Sequence, residues 1–71
     1  MSIKQADYNK ALMTVRQAIN AGELTGATAG KSHLAHDGDV PDSHGEEMIR
    51  QVTADGGSQA LIAKLKKIMG L

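Results

Sequence analysis

The chain contains no phenylalanine, tryptophan or cysteine, and Tyr8 is its one aromatic residue. Any interior must be built from aliphatic side chains, with no disulfide to hold it and no thiolate for metal or nucleophilic chemistry. Six leucines, five isoleucines and three valines supply the bulk, with ten alanines and Met1, Met13, Met48 and Met69 around them. Its 71 residues make one domain, 1–71, and small domains bury a low fraction of their surface. The expectation is a thin core that is completed against a second copy of the chain or against a partner.

The apolar residues recur at helical spacing. Tyr8, Leu12, Val15 and Ile19 follow at steps of four, three and four, with Ala11 and Ala18 beside them, and predict a helix over 5–20. Asp7 falls in its first turn, where the helix dipole favours an anion, and Gly22 is placed to stop it. Ser43-His44-Gly45-Glu46 reads as a capping box opening a second helix over 43–54, with Met48, Ile49 and Val52 as its apolar face. Asp55, Gly56 and Gly57 then break the chain. Ser58 caps a third helix over 58–69, where Leu61, Ile62, Leu65, Ile68 and Met69 repeat at helical spacing until Gly70 ends it.

Between the first two helices lies a segment rich in glycine, histidine and aspartate. It reads either as an ordered loop or as a fourth helix over 26–36 capped by Thr25. Gly26 and Gly30 weigh against the helix, each costing up to about 1 kcal/mol relative to alanine. Asp37 to Asp42 reads as turn chemistry, with Gly38 at positive φ and Pro41 ending any helix before it. Nowhere does apolar–polar alternation persist long enough to predict a strand. The fold class is therefore all-α, a small bundle of three short helices, or four if 26–36 is helical.

The motifs for chemistry are weak. Gly26, Gly30, Lys31 and Ser32 fall short of a phosphate-binding loop, which needs four residues between its glycines where this chain has three. What survives is Lys31 as a ligand for one anionic group. His33 and His36 are three apart, and His44 lies beyond the turn, with Asp37, Asp39 and Asp42 between them. These are competent ligands for zinc or another divalent ion, but their spacing matches no strong metal signature. The acids also fail as a calcium loop, because Pro41 and Asp42 stand where the third ligand and the glycine are needed. Ser32, Ser43 and Ser58 lack the strained elbow of a nucleophile, and so small a chain has little room for a shielded cleft. No catalysis and no cofactor are expected, with a divalent metal such as zinc as the alternative.

Charge and hydropathy narrow the partners. Eight basic and eight acidic residues cancel, so no net field draws the chain to nucleic acid or anionic lipid. Lys64, Lys66 and Lys67 read as a solvated face that complements the helix dipole. No apolar run approaches the roughly 18 residues of a membrane span, and the opening residues are too polar for a secretory signal. A cytoplasmic setting is expected.

What remains is a small non-catalytic protein–protein interaction module, an adaptor, inhibitor or assembly subunit. It is expected to self-associate, most simply as a dimer, and to bind an unidentified protein through Tyr8, Leu12, Val15, Ile19, Leu61, Leu65 and Ile68. The alternative is a metal- or small-anion-binding module using residues 31–44. Behind it stands a nucleic-acid accessory using the lysines of the last helix.

Overall fold

The computed structural model describes residues 2–27 and 38–71. Among them, α1 spans Gln5–Asn20, α2 spans Asp42–Ala54 and α3 spans Gln59–Met69. Each helix begins and ends within one residue of the limits that the apolar spacing predicts. The expected helix over 26–36 falls almost wholly outside the described residues; Gly26 itself, at φ +72°, does not take a right-handed helical backbone.

Two short strands correct the expectation of a chain without them. β1 (Ser2–Ile3) pairs antiparallel with β2 (Val40–Pro41), Ile3 opposite Val40 and Ser2 opposite Pro41. Two residues per strand leave no alternation to read in a sequence. Burial drives the pairing, since Ile3 and Val40 enter the core while Ser2 and Pro41 stay exposed. Proline is tolerated because this small sheet is all edge, with no ladder continuing past it.

The strand pair also moves the start of α2. Residues 40–41 stay extended up to Asp42, so the N-cap is Pro41, and no side chain caps the helix. Ser43 falls inside the first turn, past the position from which its hydroxyl would reach an orphan amide, and the expected Ser43–Glu46 capping box does not form. Asp42 puts a carboxylate in that turn instead. By contrast, Ser58 does cap α3, its Oγ accepting from the Leu61 N–H at 3.1 Å.

Lys4 stands at the N-cap of α1 and offers no side-chain acceptor. The acceptor comes from across the chain. Asp39 Oδ1 accepts from the Gln5 N–H at 3.4 Å, and Gln5 Oε1 accepts from the Gly38 N–H at 2.8 Å. Together with the β1–β2 pair, this exchange clips residues 38–41 to the start of α1. Asp39→Ala is expected to cost about 0.5–1 kcal/mol, seen as a Tm lowered by a few degrees in circular dichroism. Asp39→Asn keeps an acceptor and loses less.

At their C-termini α1 and α2 close in the same way. Gly22 and Gly56 take φ +79° and +88°, and the N–H of the next residue donates to the carbonyl five positions back. Those bonds are Glu23 to Ala18 and Gly57 to Val52, both 2.9 Å.

The core is a single cluster of thirteen buried apolar residues drawn from all three helices, both strands and Leu24. α3 packs against both other helices, most extensively against α1. The radius of gyration is 10.8 Å, against about 11 Å for a packed chain of this length. The described elements thus share one core.

Tyr8 is 2 % exposed, and burial raises its phenol above the ordinary value of 10.0. The folded state therefore holds this proton more tightly than the unfolded state does. The associated stability is fully present below the unfolded pKa and is lost as pH rises through the higher folded value. The urea midpoint is expected to fall between about pH 9 and about pH 11, and the profile of Tyr8→Phe is expected to be flatter over that range.

Candidate functional site

The structure places the two apolar stripes against each other. Tyr8, Leu12, Val15, Leu61 and Leu65 are 2, 3, 0, 9 and 0 % exposed. Ile19 and Ile68 are partly buried against the same cluster. Ile19 is sheltered by Gly26, where an added Cβ would come within 3.1 Å of Ile19 Cγ2. Within this chain these residues pack into its own interior, against one another and the rest of the core. Packing α1 on α3 covers both stripes within one chain, with Leu61 and Ile68 bordering an open feature beside the seam.

That feature is a groove between α1 and α3. Beside its core stripe, α1 carries a second row, Ala6, Lys10, Met13 and Gln17, at steps of four, three and four. Residues at that spacing share one side of a helix. α3 contributes Ala60, Lys64 and Ile68, spaced by four. One stretch of about 550 Å³ is lined by Ala6, Met13 and Ile68, among others. The next, of about 380 Å³, is lined by Ala21, Glu23 and Ser58. Thr14, Gln17 and Lys64 border both, so they form one trough. The start of α1 lies beside the end of α3, and the end of α1 beside the start of α3, so the two helices run antiparallel. From Ala6 to Ala21 the trough follows about 22 Å of helix at 1.5 Å per residue.

Met13 dominates this groove. It is 57 % exposed, more than any other large apolar residue among those described. Lys10 and Lys64 border the same stretch, and the one acid in the trough is Glu23, at its far end. The sequence reading missed Met13 because two of the four residues in its row are polar. The repeated spacing of Ala6, Lys10, Met13 and Gln17 is the signal that would have found it.

Lys31, His33 and His36 lie outside the described residues. His44 is exposed in the first turn of α2. Among the described residues, no three side chains of the metal-binding types converge. The lysines of α3 do not make one phosphate patch. Lys64 borders the α1–α3 groove, whereas Lys66 borders a separate depression with Glu46, Ile49, Arg50 and Leu71. Arg50 is ion-paired with Glu47, whose hydrogen bond and charge raise the guanidinium above its ordinary value. Every buried side-chain polar atom among the described residues has a hydrogen-bond partner. Asp55, the one buried charged residue among them, closes α2, and its carbonyl accepts from the Thr25 N–H at 3.3 Å. Comparison with protein-family models, with curated proteins and with solved structures finds no match to this chain.

Proposed function

We propose that the chain is a small, non-catalytic protein–protein docking module whose working surface is the α1–α3 groove. The observation that carries this reading is Met13, an exposed apolar side chain in the middle of a trough, in a molecule whose core is filled without it. An unbranched thioether repacks against varied surfaces at little cost, which suits a contact side chain. Two helix rows flanking a trough also accept a third helix, ridges into grooves. No described helix is long and apolar enough to cross a membrane, and a cytoplasmic setting belongs to the same proposal.

The test is capture from the native host by wild type and by Met13→Asp, compared side by side. The substitution sits on an exposed site and should leave the melting curve within about 0.5 kcal/mol of wild type. A partner held by wild type and lost by the variant is the expected result. Equal capture by both, or capture by neither, would remove the groove from consideration.

A further inference from the structure

We infer that the occupant of the α1–α3 groove is an acidic amphipathic helix of another protein. This assignment rests on the docking reading above and adds the partner's chemistry. The chain is neutral overall, but its charges are sorted among the helices. α1 and α3 hold Lys10, Arg16, Lys64, Lys66 and Lys67 against the single acid Asp7. α2 holds Asp42, Glu46 and Glu47 against Arg50.

The stretch of groove around Met13 carries two cations, Lys10 and Lys64, and no acid. A helix laid along it would set an apolar side chain on Met13 and Ile68. Carboxylates on its flanks would meet the ammonium groups at the rim, while the lysine stems cover its sides. Such rim charges speed encounter and select against basic partners. About 22 Å of trough seats about fifteen residues of helix, or four turns.

Nucleic acid fits this surface poorly. Lys66 faces another depression, and Tyr8, the chain's one Phe, Tyr or Trp ring, is buried. A second copy also fits poorly. Its acidic helix is α2, whose apolar residues Met48 and Val52 are already buried in its own core.

The experiment is a selection, on the full chain, from a displayed library of helical peptides of about sixteen residues, the length of the groove. Enriched sequences are expected to carry apolar residues at i, i+3 or i+4, and i+7, flanked by Glu or Asp. An enriched peptide should shift the amide resonances of Ala6, Lys10, Met13 and Lys64. Lys10→Glu with Lys64→Glu should weaken it by about tenfold or more, and raised salt should weaken it too. A peptide with Lys in place of Glu should recover affinity for that double variant. All the substituted sites are exposed, so circular dichroism should show the fold retained.

Neutral or basic peptides that bind the groove equally well would overturn the acidic partner and leave the docking reading standing. Failure of every peptide to bind at the groove would remove both. Groove resonances that shift with protein concentration alone would make a second copy the occupant and overturn the inference.

Discussion

Leu65→Ala is expected to leave the chain largely unfolded at room temperature. Leu65 is 0 % exposed on α3, the helix that packs against both of the others. Truncating a buried leucine to alanine costs about 3–5 kcal/mol, through lost transfer energy and the cavity left behind. A core in a domain of this size rarely supplies more than about 3–5 kcal/mol in total. With no cysteine, no disulfide can make up the loss. Far-UV circular dichroism should therefore show most helical signal gone, without a cooperative melt. Leu71→Ala, at an exposed position, should melt close to wild type. If Leu65→Ala melted cooperatively within a few degrees of wild type, the interior would have to be completed by something besides this one chain.

That test bears on how far the sequence alone could be read. Periodicity marks which side of a helix is apolar, so the Tyr8–Ile19 and Leu61–Met69 stripes and the helix limits were legible. Local chemistry also marked the ends, with Ser58 opening α3 and Gly22 closing α1. Periodicity does not say what covers an apolar side. Whether the two stripes meet each other or a neighbour depends on how the turns aim the helices, and here they bring α1 and α3 together antiparallel. The groove beside that seam was illegible for the same reason, since it exists only once the two helices are paired.

Contacts between distant residues were the other loss. Gly45 reads as a spacer in a capping box, yet it is buried where α2 lies against Ile3, Met69 and Leu71. A Cβ there would lie 2.5 Å from Ile3 Cδ1, 3.1 Å from Leu71 Cδ1 and 3.2 Å from Met69 Sδ. Asp39 reads as part of a turn or a ligand set, yet it is the acceptor for the first amide of α1, thirty-four positions away. Neither role leaves a mark in the neighbouring residues. Residues 28–37, which hold Lys31, His33 and His36, lie outside the described structure.

Gly57→Ala is expected to destabilise the protein by about 2–3 kcal/mol, although its neighbour Gly56 is the one with the unusual backbone. At Gly57 the constraint is space. An added Cβ would lie 2.5 Å from Val52 Cγ1, 2.9 Å from the Val52 carbonyl oxygen and 3.3 Å from Leu24 Cδ2. Val52 is fully buried and β-branched, and such a side chain in a helix has one strongly preferred rotamer. Its carbonyl is also the acceptor for the Gly57 N–H at 2.9 Å, so relieving the clash means opening the turn that ends α2. Asp55 in that turn receives the Thr25 N–H, and Ser58 just beyond it caps α3, so the strain reaches both helices that the turn joins and the Thr25 contact. Gly56 has nothing within 4 Å of an added Cβ and is constrained only by φ +88°. Asparagine tolerates that region better than alanine does. Gly56→Asn should therefore recover much of what Gly56→Ala loses, whereas Gly57→Asn should be no better than Gly57→Ala. Urea unfolding of the four variants separates the two causes. A Gly57→Ala midpoint indistinguishable from wild type would mean that the α2–α3 turn has room that this packing denies it.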